Sequence, residues 1–284
     1  MKAERPATMM PLVMLSPPRR PAVLGLLRVT RLGTASLERL ALESLKPGRI
    51  HSVFERAVNV LWGDGHLLTL HGPGPLAAPF AVALERLPAR DAVAPGMTIG
   101  HSDFGWADAE RVALEMPGGA LGFGREALPE PTCARALYSA AGLRAREALE
   151  RGIALGDAGT FADAACSLIG LGEGLTPAGD DCVVGALAAI HRLAPGWLTA
   201  NEGQRHRLAD AARRRTTDVA RDFVLEALDG RFAEPVLALL TAGSDEDAGS
   251  VARRLLVMGA TSGADTLCGI RLGCRALEAR AVEQ

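Results

Sequence analysis

Two adjacent carboxylates, Asp180 and Asp181, follow a glycine-rich segment and precede a long apolar run. The stretch reads SLIGLGEGLTPAGDDCVVGA over residues 167–186. Glycine accepts positive φ and lets the backbone approach another group closely. Backbone N–H groups at a helix start attract anions, whereas carboxylates accept hydrogen bonds or hold cations. The stretch therefore contains groups that bind small polar molecules, and we predict that it forms the floor of a site.

A second stretch, GATSGADTLCG over residues 259–269, repeats the arrangement. Asp181 is followed four residues later by Gly185, and Asp265 is followed four residues later by Gly269. Positions i and i+4 share one face of a helix, so each glycine leaves room beside the turn that carries its aspartate. We predict that the two helices meet at these glycines and bring both acidic N-termini together.

Together the two stretches supply the candidate site residues. The catalytic candidates are the acids Asp181, Asp180 and Asp265. The substrate-binding candidates are small or hydroxyl-bearing: Gly172, Gly174, Thr176, Gly179, Thr261, Ser262 and Gly263. No lysine adjoins the acids, so they would repel a bare phosphate unless Mg²⁺ or an arginine such as Arg271 supplied positive charge. The cofactor therefore stays open, with Mg²⁺ as one option, and no metal ligands are assigned.

A purely structural interpretation competes with this one. Glycines would also allow tight helix packing, and aspartates in a first turn complement the helix dipole. Asp265 stands three residues after Ser262, which is the spacing of a capping box. Two other signals are weaker: His101 is typical of a loop residue, and the arginines at 213–215 are typical of a solvated helix face or of a contact with a partner subunit.

Composition narrows the class of protein. The 284 residues carry a net charge of −2 and only 4% aromatic side chains, which argues against nucleic-acid binding. The five cysteines are an odd number without a CxxC pair, so we predict no disulfide framework, no zinc ribbon and a cytoplasmic location. Prolines and the Arg19–Arg20 pair interrupt the first apolar patches, so we predict a loose tail over residues 1–20 and no membrane span.

Turn signals and hydrophobic periodicity predict an α+β fold. A small, β-rich and mostly antiparallel N-terminal domain over residues 21–128 is followed by an all-α helical domain over residues 129–284. Asp-Gly between apolar segments is a strong hairpin signal, so residues 53–62 and 66–71 are predicted to pair around Gly63-Asp64-Gly65. The other predicted strands are 97–99 and 111–116, and the predicted helices are 34–45, 132–151, 160–168, 201–229, 234–240, 245–258 and 262–283.

The central helix is predicted to begin beside the acidic pair. Pro177 suits the first helical position, where its missing N–H has no partner to lose, and Thr176 precedes it as a candidate N-cap. Residues 182–190 contain no polar side chain. We therefore predict that this helix is buried on most sides.

These motifs together resemble a known bacterial family. The residues that carry the resemblance are 170–185, 261–269, Thr216-Thr217-Asp218-Val219 with Leu225 and Gly230, and the stretch of Val53-Phe54 and Asn59. On them the chain resembles the AllH-like family, the subunit family of the oxamate carbamoyltransferase of allantoin degradation. The chain departs from the family pattern at Glu173, where the pattern has proline, and at Ala220, where it has a small hydroxyl residue.

The resemblance implies carbamoyl transfer between oxalurate and phosphate, yielding oxamate and carbamoyl phosphate, in purine (allantoin) nitrogen catabolism. It implies two partners, an FdrA-like subunit and a third subunit, and it does not require this chain to be catalytic. In that chemistry Asp180 or Asp181 would accept hydrogen bonds from the carbamoyl NH₂, and backbone N–H groups near residues 172–174 and Gly263 would stabilise the oxyanion. The alternative is a non-catalytic assembly or small-anion-binding subunit of an FdrA-containing complex.

Overall fold

The computed structural model describes residues 26–42, 47–62 and 65–282. Within these residues a curled, eight-stranded sheet is followed by a helical region. The predicted α+β fold, β-rich first and helical second, is therefore confirmed. The last strand ends at Val112, and the domain boundary at residues 128–129 stays a prediction. The predicted N-terminal tail lies outside the described residues.

The sheet has the strand order β6-β2-β3-β4-β5-β1-β7, with β8 beside β1. Its strands are β1 (Leu27–Gly33), β2 (Gly48–Val53), β3 (Ala57–Trp62), β4 (His66–His71), β5 (Ala81–Leu84), β6 (Thr98–Ile99), β7 (Phe104–Gly105) and β8 (Glu110–Val112), and helix α1 (Thr34–Leu42) follows β1. The sheet is more mixed than predicted, because β5 runs parallel to β4, and β7 and β8 run parallel to β1. The glycine- and proline-rich segment after β4 forms a crossover rather than a tight turn, which makes the β4–β5 pair parallel.

The predicted hairpin is confirmed in its strands. β3 and β4 pair antiparallel, with Trp62 opposite His66 beside the turn. Turn residues 63 and 64 lie outside the described part of the chain. The predicted strand over residues 53–62 is divided, because the N–H of Phe54 donates to the Ala57 carbonyl at 2.8 Å and closes a turn between β2 and β3.

The helical region contains α2 (Ala140–Leu155), α3 (Ala158–Leu168), α4 (Ala178–Leu193), α5 (Glu202–Arg215), α6 (Asp218–Leu228), α7 (Glu234–Leu240), α8 (Asp245–Leu256) and α9 (Ser262–Val282). Helix α7 has the predicted bounds. The helix predicted over residues 132–151 begins later, because the Ser139 hydroxyl accepts the Gly142 N–H at 3.0 Å and caps α2. The helix predicted over residues 201–229 is two helices, because the Thr217 hydroxyl caps α6.

Helix α4 begins one residue later than predicted, with Pro177 as its N-cap in an extended conformation. As predicted, the helix is buried over most of its length. It packs against α9 through glycines: a Cβ added at Gly185 would lie 2.0 Å from the Thr266 carbonyl oxygen, and one at Gly269 would lie 1.9 Å from the Cys182 carbonyl oxygen. The predicted meeting of the two glycine faces is therefore confirmed.

A buried carboxylate joins the sheet to the helices. Oδ2 of Asp222 on α6 accepts hydrogen bonds from the Leu67 N–H at 2.8 Å and from the Arg39 guanidinium at 3.0 Å. Its Oδ1 accepts one from Arg221 Nε at 2.8 Å. Burial alone would raise the pKa of Asp222, but the hydrogen bond from His66 and the charges of Arg39 and Arg221 lower it. Asp222 therefore stays ionised while holding α1 and β4 against α6.

The apolar core is divided into three clusters of buried side chains. One lies among the helices and one inside the curl of the sheet. The third lies between them and contains Leu67 from β4, Phe80 from the turn before β5, and Val219 from α6. Phe80 also contacts Phe223 edge to face, with ring centroids 4.9 Å apart. The third cluster is thus formed jointly by the sheet half and the helices.

The close α4–α9 contact predicts a strong effect of side-chain size at Gly185. Gly185→Leu forces atoms into the Thr266 backbone, so we expect a loss of about 1–3 kcal/mol in the free energy of unfolding. Gly203→Leu on α5 is the matched control, because a Cβ there meets nothing within 4 Å. Thermal and urea unfolding of both variants measure the effect. Equal stability of the wild type and Gly185→Leu would show that the helices separate without cost.

Candidate functional site

The two glycine-rich loops are neighbours in space, as predicted. The hydroxyls of Thr176, before α4, and Ser262, at the start of α9, form a hydrogen bond 2.6 Å long. This bond links two positions that are 86 residues apart in the chain. The close approach of α4 and α9 therefore brings their N-terminal ends together and places Asp181 beside the second loop.

Asp181 lines a cavity of about 160 Å³ between the ends of α4 and α9. The polar side chains of the cavity wall are Thr176, Asp181, Arg231, Ser262 and Thr266. The backbone of Gly263 and the ring of Phe223 line it as well. The side chain of Asp181 is 8% exposed, and its Oδ2 has no hydrogen-bond partner among the described residues. Oδ2 is thus buried without a partner, so the carboxyl beside the cavity has hydrogen-bonding capacity that the described residues do not use.

The environment of Asp181 favours its neutral form. Burial raises the pKa of Asp181 well above its usual range, and the negative charges of Asp265 and Asp180 raise it further. The hydroxyls of Ser262 and Thr176 oppose this shift without cancelling it. A protonated carboxyl offers one O–H donor and one carbonyl acceptor, and it does not repel an anion. A neutral Asp181 therefore repels a bare phosphate less than the ionised carboxylate that the sequence alone suggested.

Asp180 is fully buried but does not line the cavity. Its Oδ2 accepts hydrogen bonds from the Gly170 N–H and the Thr216 hydroxyl, both at 3.0 Å. Burial raises its pKa to about 6, although these two donors lower it in part. Asp180 thus connects the start of the first loop to the junction between α5 and α6.

Asp265 is also fully buried and faces another direction. Its Oδ1 accepts the Ala134 N–H at 2.8 Å, which fixes the segment before α2 against α9. Burial raises the pKa of Asp265, and the bond from Ala134 opposes the rise. The three predicted acids therefore lie near one another, but only Asp181 reaches the cavity.

The predicted binding residues divide in the same way. Thr176, Ser262 and Gly263 line the cavity, whereas Gly172, Gly174, Gly179 and Thr261 do not. Gly172 and Gly174 form the exposed tip of the first loop, with φ of +127° and +92°. Gly179 has a packing role, because an added Cβ would lie 2.0 Å from the Leu168 carbonyl oxygen.

Among the described residues, the cationic side chain in the wall of this cavity is Arg231, which the sequence motifs did not single out. Arg231 follows Gly230, and its guanidinium bonds Glu226, Asp229 and Glu38, none of which lines this cavity. Arg271, the predicted cation, instead bonds the Leu128 carbonyl and the Glu130 carboxylate. The sequence did contain one indication of Arg231: it directly follows Gly230, which is among the residues that carry the family resemblance.

The cavity does not fit a Mg²⁺ ion held by the protein alone. Asp181 is its single carboxylate. In the described part of the chain, no group of three His, Cys, Asp or Glu side chains has an arrangement that could hold a metal ion. Protein-bound Mg²⁺ requires near-octahedral oxygen ligands, which these side chains do not supply. We therefore assign Mg²⁺ no role at this cavity.

Two family models match the chain. One, described as oxamate carbamoyltransferase subunit AllH, matches residues 168–274, and the other, described as the AllH family N-terminal domain, matches residues 28–115. Together they cover most of the chain. The chain belongs to the AllH family. The resemblance stated from the motifs is therefore confirmed, and no solved structure matches the chain.

The AllH matches coincide with the structural parts. The N-terminal match contains nearly all of the sheet, and the other match contains both glycine-rich loops and Asp181. The description of the AllH family as a subunit of oxamate carbamoyltransferase supports the prediction that this chain is a carbamoyltransferase subunit. Across the described residues, none of the helices has the length and apolar character needed to cross a membrane.

The cysteines of this AllH-family chain are all free thiols. Cys268 on α9 hydrogen-bonds with Cys133 and Cys182, and all three are buried. The bond to Cys268 and complete burial raise the pKa of Cys182. Buried thiols of this kind pack as small apolar groups, so we assign them no chemistry.

The raised pKa of Asp180 predicts a pH effect on stability. Its folded pKa of about 6 exceeds the ordinary 3.8, so its stabilising contribution is complete below about pH 4 and is lost as the pH rises through 6. Asp180→Asn keeps an oxygen acceptor without the charge. As the pH rises from 4 to 7, the wild type should lose up to roughly 3 kcal/mol of unfolding free energy that Asp180→Asn does not lose. The variant should therefore become more stable relative to the wild type by that amount. Urea unfolding across this range measures the difference, and a constant difference would contradict it.

Proposed function

We propose that this chain is the subunit that binds the carbamoyl compound in a complex that transfers a carbamoyl group between oxalurate and phosphate. In this proposal its partners are an FdrA-like subunit and a third subunit, and the complex acts in the cytoplasm in allantoin nitrogen catabolism. The observation that carries the proposal is the position of Asp181, which lines a small cavity inside the family-matched segment. The other two acids bond backbone N–H groups elsewhere.

The chemistry of a neutral Asp181 suits a carbamoyl group. A carbamoyl group presents a carbonyl oxygen and an NH₂ side by side. A protonated carboxyl can donate to the first and accept from the second, forming a paired contact in one plane. The cavity of about 160 Å³ is smaller than the roughly 300–1,000 Å³ typical of drug-sized ligand pockets, which favours a small metabolite.

The proposed transfer also needs a proton at the leaving group. A phosphate oxygen attacks the ureido carbonyl carbon of oxalurate, the bond from that carbon to the amide nitrogen breaks, and oxamate leaves with a proton on this nitrogen. Asp181 can supply the proton, because its pKa is raised toward the working pH. The hydroxyls of Thr176 and Ser262 can stabilise the oxyanion.

The assembly-subunit alternative is favoured by a different observation. Asp180 and Asp265 each fix a neighbouring segment by accepting a backbone N–H, which is a structural role. On this alternative the loops shape an interface in an FdrA-containing complex, and a partner carries the chemistry. The two proposals differ in whether Asp181 affects turnover after assembly is complete.

Asp181→Asn in the reconstituted complex tests this difference. Asparagine keeps the shape and both hydrogen-bonding functions of a neutral aspartic acid, but it cannot give up a proton. We expect turnover to fall by about 10²–10³-fold while expression and assembly are unchanged. The assay is the formation of carbamoyl phosphate from oxalurate and phosphate.

The control is Asp91→Asn, which removes an exposed carboxylate in a turn that does not line the cavity. We expect this variant to keep full turnover. Gel filtration of both complexes reports assembly separately from activity. Full turnover of an assembled Asp181→Asn complex would exclude the proton-donor role and favour the assembly subunit.

A further inference from the structure

A second and larger cavity lies between the sheet and helices α5 and α6. Its volume is about 430 Å³, within the range of small-molecule pockets. The apolar part of its lining includes Trp62 from β3 and Leu225 and Leu228 from α6. Its cationic and imidazole side chains are Arg39, His66, Arg205, His206, Arg213 and Arg231. We name this cavity the arginine cleft.

The carboxylates of the arginine cleft are already paired. Glu226 is bonded by both Arg39 and Arg231. Asp229 is bonded by Arg205 on one oxygen and by Arg231 on the other. Glu38, the third carboxylate of the cleft, also pairs with Arg231, at 3.4 Å. These ion pairs hold the walls of the cleft and give each of its carboxylates a cationic partner. An additional cation in the cleft is therefore available to a ligand.

Arg213 is that cation. Its described ion pair is with Asp210, one turn earlier on its own helix, at 3.6 Å, and no carboxylate of the arginine cleft pairs with it among the described residues. The Arg213 side chain is 57% exposed. Arg205, Ala209 and Arg213 are spaced by four residues and so lie along one face of α5.

We propose that the arginine cleft binds a small anionic molecule that carries a phosphate or carboxylate group on a flat or apolar body. The anionic group contacts Arg213, and Arg205 and His206 lie nearby on the same helix. The body of the ligand packs on Trp62, Leu225 and Leu228. This site differs from the Asp181 cavity and does not depend on the carbamoyl proposal, because their polar linings share Arg231 alone.

The chain offers a matched pair of variants for the test. Arg213 and Arg214 are adjacent, and both pair with Asp210 at 3.6 Å, but only Arg213 lines the arginine cleft. Both side chains are more than half exposed, so Arg213→Gln and Arg214→Gln are expected to fold. The two substitutions remove the same charge from the same helix.

Isothermal titration of the isolated chain with phenyl phosphate, inorganic phosphate and benzoate, at constant ionic strength, measures binding. We expect saturable binding, tighter for a probe that has both a ring and the preferred anion. Arg213→Gln should weaken it by about tenfold or more, and Arg214→Gln by less than about twofold. Preference for phenyl phosphate assigns a phosphate ligand, and preference for benzoate assigns a carboxylate ligand.

Two outcomes would overturn the proposal. The first is no saturable binding of any of the three probes. The second is equal weakening by Arg213→Gln and Arg214→Gln, which would indicate general charge attraction to α5. Asp181→Asn should leave the affinity for phenyl phosphate unchanged, so failure here is distinct from failure of the carbamoyl-transfer proposal.

Discussion

Backbone contact between α4 and α9 determines where the chemistry of this chain can occur. At Gly185 and Gly269 the helices come so close that a single added methyl carbon would lie within 2.0 Å of a carbonyl oxygen. This distance brings the N-terminal ends of both helices together and lets the Thr176 and Ser262 hydroxyls bond. The small cavity beside Asp181 exists because two loops, distant in sequence, are fixed at that spacing.

The same packing changes the charge of the site. In water an aspartate is ionised at neutral pH, and an acidic loop would then attract cations. Here tight packing removes water from three carboxyls, and burial raises the pKa of each. Packing thus shifts all three acids of the motif toward their neutral forms. Asp222 shows the contrast, because arginines and a histidine keep it ionised in an equally buried position.

Local patterns predicted much of the fold. The β3–β4 hairpin follows from Asp-Gly between apolar segments, and α7 follows from a short apolar run with an early proline. The i, i+4 spacing of aspartate and glycine also predicted the α4–α9 contact. Where the start of a helix was predicted wrongly, a single capping side chain decided the outcome in two cases. Ser139 and Thr217 begin helices at places where hydrophobic periodicity continues without a break.

The candidate site was less predictable than the fold. Asp180, Asp181 and Asp265 have similar local sequence, yet each faces a different neighbour, and those neighbours come from distant segments. Arg231 reaches the cavity because its segment pairs with residues 114–116, and Arg271 turns away because Glu130 and the Leu128 carbonyl bind it. Long-range packing of this kind leaves no mark in spacing or composition.

The core shared by Leu67, Phe80 and Val219 has a consequence for folding cooperativity. Neither the sheet nor the helices can cover these side chains alone, and without α6 the Leu67 N–H loses the carboxylate of Asp222. An exposed apolar face and an unpaired edge would both promote aggregation. The two halves therefore stabilise each other and should unfold in one transition, so neither half is a natural unit for expression on its own.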